Sequence, residues 1–225
     1  MVWDLLREPH FSWVWLLGIL VSFAVVVIAI TVHEFAHALS ARSYGDDTAT
    51  AHGRLSLNPL SHYDPVGSTL FLLFGWGWAR PVPINTHRMR NPRLDGIRCA
   101  LWGPFSNILM ATAAGLLLRF VPSMPAAAAA VLATVVYLNL WLAFFNLIPF
   151  PPLDGSRIVT NLLPDETAMR WERFAQRYGF LILLGLSFMF PGVLSTIVGI
   201  PVFMGSWAVT GMPPSDFMAL IAFFR

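Results

Sequence analysis

Lysine is absent from this 225-residue chain, and charged residues make up only 12% of it, about half the share found in an ordinary soluble domain. A water-soluble globule is thereby excluded. The fourteen basic residues are all arginines, gathered mostly in loops, so there is no continuous basic face for nucleic acid. Cysteine occurs once, as Cys99. That excludes an internal disulfide and a thiolate metal cluster.

What the chain has in abundance is apolar surface: 56% of its residues are hydrophobic and the mean hydropathy is +0.65. Several runs reach the roughly 20 residues needed to cross a hydrocarbon core of about 30 Å. The expected spans are Phe11 to Leu39, Arg98 to Val121, Ala126 to Ile148, Tyr178 to about Val198, and Ile200 to Phe224, the last two parted by a Pro/Gly-rich break. The first run is too long for the apolar core of a signal peptide and no small-residue cleavage site follows it, so it is expected to remain in the mature protein.

Between the first two spans, Ala41 to Pro92 is punctuated by proline and glycine, and its apolar patch, Val66 to Trp78, is too short for a crossing. A re-entrant or interfacial excursion is expected there, with short strands at Ala51 to Ser56 and Ala79 to Ile84. The expected fold is therefore an all-α polytopic membrane protein of about five transmembrane helices, with a small β-strand or re-entrant element after the first helix. Residues 1–225 read as a single integral-membrane domain, with neither repeat nor appended soluble domain. Arg42, Arg54, Arg80, Arg88, Arg90, Arg93 and Arg98 place the first long loop in the cytoplasm. Five spans would then put the N-terminus outside and Arg225 inside.

His33-Glu34-Phe35-Ala36-His37 matches HExxH. Two histidines four residues apart share one face of a helix and can bind one zinc ion, with the intervening glutamate beside it as general base. Zinc brings the pKa of a bound water toward neutrality, and a carboxylate must accept the proton as the water attacks a carbonyl. Ionisable residues at the end of an apolar span are costly unless they serve a function. A catalytic zinc takes three protein ligands. Asp154 is the candidate third, because the prolines of Pro149 to Pro152 end regular helix while the chain is still apolar. His52, His62, Asp64 and His87 compete for that place, and Asp154 also reads as a helix N-cap. Asn107, near the start of the second span, reads either as a donor to the tetrahedral oxyanion or as a bond between membrane helices.

With these residues in place the chain resembles the site-2 protease family of intramembrane metalloproteases, in its compact prokaryotic form. Besides HExxH, the resemblance rests on Gly45 to Ala49, Gly53-Arg54-Leu55-Ser56-Leu57-Asn58-Pro59, His62 to Gly67, Ala79 to Asn85, Gly103-Pro104 with Asn107, and Asn146 to Gly155. Trp102 departs from the pattern, standing where a small residue is usual. The resemblance implies one Zn2+ per chain held by His33, His37 and Asp154, with Glu34 as catalytic base and Asn107 assisting at the oxyanion or substrate. It implies cleavage of single-pass transmembrane proteins near the cytoplasmic side of a prokaryotic plasma membrane, commonly after an upstream site-1-type protease has trimmed the outer part. The strand-like segment would hold an unwound substrate by strand addition. Larger relatives carry PDZ or CBS domains and a further N-terminal span, none of which is expected here. A membrane metal transporter would leave the glutamate beside the first histidine unexplained, and a catalytically inactive substrate-binding relative would have lost a ligand or the base.

Overall fold

Between Trp13 and Ser43 there is no proline and a single glycine, so nothing breaks a helix whose apolar side chains face lipid or neighbours. The computed structural model, which describes residues 13–74 and 77–224, forms one helix over that run, α1 (Trp13–Ser43), of 31 residues, or about 46 Å at 1.5 Å per residue. Phe11 and Ser12 of the first expected span, and Arg225, lie outside the described residues. A single-turn helix α2 (Thr48–Ala51), a 3-10 turn (Pro59–His62) and the short apolar helix α3 (Pro65–Phe74) follow. Residues 77–85 run without regular structure to a second 3-10 turn, Thr86–Arg88.

Proline at the first helical turn, where no backbone donor is needed, begins α4 (Pro92–Phe120). Next come α5 (Ala126–Asn146), α6 (Asp154–Leu162), α7 (Asp165–Met189), the proline-started α8 (Pro191–Thr210) and α9 (Pro214–Ile221), and a 3-10 turn, Ala222–Phe224. Helix α4 packs on α1, α5, α6 and α8. The core below the site is built from Ala111, Ala114 and Leu118 of α4, Ala133, Val136 and Leu140 of α5, Val198 and Val202 of α8, and Phe217 of α9. Small alanines let the helix backbones approach closely, which is how helices pack where lipid is as apolar as the side chains. Leu20, Ile28, Leu109, Leu117, Ile197 and Met204 face outward, as lipid requires. The chain is an integral membrane protein.

Two expectations need correction. Four described helices have the length and composition to cross a bilayer: Trp13–Ser43, Pro92–Phe120, Ala126–Asn146 and Gly192–Thr210. The expected break near Val198 to Ile200 is absent. The chain turns instead at Phe190, where Pro191 starts a helix, while Pro201 sits inside α8, as membrane helices tolerate. The expected span from Tyr178 to Val198 is thus divided between α7 and α8, and the C-terminal apolar helix is short.

The second correction concerns the strands, none of which forms among the described residues. Ala51 closes α2 and the chain turns at Gly53, while residues 79–85 are irregular. The alternation of Val82 and Ile84 with Pro81 and Pro83 looks like a strand, but both prolines lack the N–H a ladder needs. Strand addition on this segment would have only carbonyls to use at those positions. Of the expected excursion Val66 to Trp78, residues up to Phe74 belong to the short helix α3, and Gly75 and Trp76 lie outside the described residues.

Candidate metal centre

Helix α1 carries His33 and His37 one turn apart, with ring centroids 4.7 Å apart and ring planes near perpendicular at 83°. Their Nε2 atoms lie 3.1 Å from each other. Asp154 Oδ2 lies 3.0 Å from the first and 3.1 Å from the second. All three residues are buried. Leu153, not Asp154, occupies the N-cap of α6, and no side chain caps that helix. The aspartate stands at the first helical position and gives its oxygen to the imidazoles, which disposes of the capping alternative.

The far side of each ring decides which atoms face the cluster. His37 Nδ1 lies 2.8 Å from the Cys99 carbonyl oxygen, which can only accept, so Nδ1 donates. Pro104, inside α4, has no N–H for the carbonyl of Ala100, which loosens the turn in which Cys99 meets α1. His33 Nδ1 donates to Asn107 Oδ1 at 2.7 Å. The amide of Asn107 in turn donates to the Ala29 carbonyl at 3.1 Å and to Asn139 Oδ1 at 2.9 Å. With both Nδ1 atoms donating, the neutral rings present two bare Nε2 lone pairs to an anionic oxygen.

Three acceptors at about 3 Å with no hydrogen between them repel one another unless a cation is at their centre. Tetrahedral zinc with bonds of about 2.0–2.1 Å needs ligand atoms roughly 3.3 Å apart, close to the spacing found. The donor set of two imidazoles and a carboxylate, each imidazole steadied by an outer hydrogen bond, fits zinc. Gly103 gives the space: a Cβ there would come 2.3 Å from His37 Nε2 and 2.7 Å from His33 Nε2. Gly155 serves similarly behind Asp154, since its Cβ would meet the carbonyl oxygens of Leu147 and Ile148 at 2.4 Å.

Glu34 lies close enough for its charge to act on both His37 and Arg54, and its Oε2 accepts the Val82 N–H at 2.8 Å. The competing ligands are elsewhere. His52 and His87 are exposed, the ring of His62 is tied to the Ser56 carbonyl, and Asp64 accepts from the Gly67 N–H. Among the described residues, the only group of three or more metal-ligating side chains drawn together is His33, His37 and Asp154. Asn139 escaped the sequence reading; its one signal was a lone amide inside an apolar span. Trp102, the departure noted above, is exposed and donates to the Tyr44 hydroxyl at 3.1 Å.

An apolar cavity of about 420 Å³ opens beside Ala29, one helical turn before His33 on α1, lined among others by Ile30, Phe71, Trp141, Phe145 and Leu194. It lies between α1, α3, α5 and α8.

The profile of peptidase family M50 matches residues 117–186, a stretch that includes Asp154. YwhC of Bacillus subtilis, named as a candidate zinc metalloprotease, is 40% identical over 169 residues, covering 72% of this chain and 77% of that protein. Rip2 of Mycolicibacterium smegmatis, named likewise, is 30% identical over 71% of this chain, though the match spans only 63% of Rip2. Rip2 of Mycobacterium tuberculosis strain H37Rv is also 30% identical, over 77% of this chain and 68% of that protein. No solved structure matches the chain at a significant level. A likeness of this extent to YwhC, in a chain of bilayer-length helices that gathers two histidines and an aspartate at zinc-ligand spacing, shows that the chain belongs to peptidase family M50, the site-2 protease family of membrane metalloproteases.

Proposed function

We propose that the protein is an intramembrane zinc endopeptidase, hydrolysing peptide bonds within or near the transmembrane segment of single-pass proteins. The observation that carries this reading is the convergence of His33, His37 and Asp154 on one point, with Glu34 on the same turn of α1. A zinc ion held by these three residues supplies Lewis-acid polarisation and a water that ionises near neutral pH.

The remaining work falls to the chain's own groups. Glu34 takes a proton from the attacking water and delivers it to the leaving nitrogen as the C–N bond breaks. Asn107 holds the His33 tautomer that leaves Nε2 free, and the Cys99 carbonyl does the same for His37. Both Nδ2 hydrogens of Asn107 are engaged, which favours this orienting role over direct contact with an oxyanion. The cavity beside Ala29 suits the apolar side chains of a membrane segment. Arginine in the first loop favours a site facing the cytoplasm of a prokaryotic plasma membrane, acting after an upstream site-1-type protease in regulated proteolysis or in clearing membrane remnants.

The test compares wild type with Glu34→Gln, both purified in detergent, for zinc content and cleavage of a model single-pass substrate. One zinc in each, with cleavage lowered by about 10² to 10⁴ in the variant, is the expected result. Equal cleavage by both would remove Glu34 from the mechanism. Zinc without cleavage in either would assign a binding or transport role.

A further inference from the structure

Arg54 belongs to the Gly53 to Pro59 motif, which the metal chemistry leaves unused, and it is placed unlike its fellow arginines. Arg42, Arg93 and Arg170 extend into the surroundings and pair with acids. Arg54 is only 7% exposed and makes no ion pair with any described residue. Burial of a guanidinium without a carboxylate is costly. It lowers the pKa of this one below the ordinary value, with the charge of Glu34 pulling the other way.

Its hydrogen bonds run to backbone alone. Nη2 donates to the carbonyl of Arg80 and, at 3.3 Å, to that of Pro81, while Nε has no partner. The Pro81 carbonyl and the Val82 N–H are two ends of one peptide group, which is planar and stiff. The Val82 N–H is the donor to Glu34 Oε2, at 2.8 Å. Arg54 and Glu34 therefore hold opposite ends of a single peptide plane. Movement of its oxygen swings its N–H, since the plane turns as a unit about ψ of Pro81 and φ of Val82, and Pro83 holds Val82 to extended backbone. The same segment is moored by the Arg80 N–H to the His62 carbonyl at 2.9 Å and by the Asn85 N–H to Asp46 Oδ2 at 2.6 Å.

We propose that Arg54 is a positioning residue for the catalytic base: it grips the Pro81–Val82 peptide by its oxygen and so fixes the N–H that orients the Glu34 carboxylate. This rests on the reading of Glu34 as general base. A hydrogen bond aligned across one peptide also polarises that peptide and strengthens its N–H as a donor.

The test uses the full zinc-loaded protein in detergent and reads zinc content, kcat, KM and hydrogen exchange at the Val82 amide. Arg54→Met should keep one zinc and an unchanged KM, lose about 10- to 100-fold in kcat as a slightly misplaced group does, and exchange faster at Val82. Arg54→Lys, which can still donate to one carbonyl, should recover part of the rate. Val82→Pro removes the N–H itself, and adding Arg54→Met to it should cost nothing further, because the two act through one bond. Wild-type kcat and exchange in Arg54→Met would overturn the proposal. So would a rate loss that only follows loss of zinc, or full additivity in the double variant. Should Arg54→Met fail to fold, a kcat loss at full zinc in both Arg54→Lys and Val82→Pro supports the proposal, and wild-type kcat in both overturns it. If wild-type protein binds zinc but cleaves nothing, the protease reading falls, while exchange at Val82 still decides whether Arg54 holds that peptide.

Discussion

Asn107 Oδ1 lies 2.7 Å from His33 Nδ1, and both hydrogens of the same amide are taken, one by the Ala29 carbonyl and one by Asn139. The amide thus orients a histidine of the proposed zinc site. Asn107→Ala should weaken zinc affinity by about 10- to 100-fold, read by competition with a chelator of known affinity. Asn139→Ala should shift it in the same direction by less. Unaltered zinc affinity with a fall in kcat alone would return Asn107 to the oxyanion.

Gly103 faces the two imidazoles across a gap that a methyl group would fill. Gly103→Ala should therefore abolish stoichiometric zinc binding. Gly185 is a fair control because a Cβ there meets nothing within 4 Å, and alanine at that helical site should leave zinc in place. Full zinc in Gly103→Ala would mean that α4 moves away freely.

Asp154→Asn keeps the side-chain volume and removes the charge. Zinc content measured by atomic absorption should fall well below one per chain, and activity with it. His62→Ala and His87→Ala should retain full zinc, since both side chains lie outside the cluster. The opposite pattern would move the third ligand.

A ligand that binds only the folded state stabilises it by mass action, about 2.7 kcal/mol when its free concentration is 100 times Kd. Removing zinc with a chelator should lower the Tm of the wild type. Asp154→Asn should show no such shift. A chelator effect of equal size in both would place the stabilising metal elsewhere.

Much of the centre was legible because its geometry is local. A spacing of four residues put His33 and His37 on one helix face, and the prolines before Asp154 marked where an apolar chain leaves a helix while still inside the protein. Asn139 was hidden because a single amide in an apolar span has the same appearance whether its partner is a ligand-orienting residue or nothing in particular; only the approach of α4 to α5 distinguishes the two. Arg54 was hidden for a related reason. Arginine in a loop reads as an orientation signal, and its burial against residues 80–82 depends on how 25 intervening residues fold back. The strands were overread because hydrophobic alternation is a side-chain property, whereas a ladder needs the backbone donors that Pro81 and Pro83 lack. The last break was misplaced because one proline, Pro191, starts a helix and another, Pro201, is carried inside it, a difference set by neighbouring helices.

The amide bridge between α4 and α5 also bears on how the protein is made. Asn107 and Asn139 are completely shielded, and apart in hydrocarbon Asn107 would leave its amide donors unpaired and Asn139 its Oδ1. Each helix is therefore a poor resident of the bilayer until the other two members of the trio α1, α4 and α5 arrive. Assembly is in this way coupled to the site: a chain whose helices have not docked leaves His33 without the acceptor that sets its tautomer.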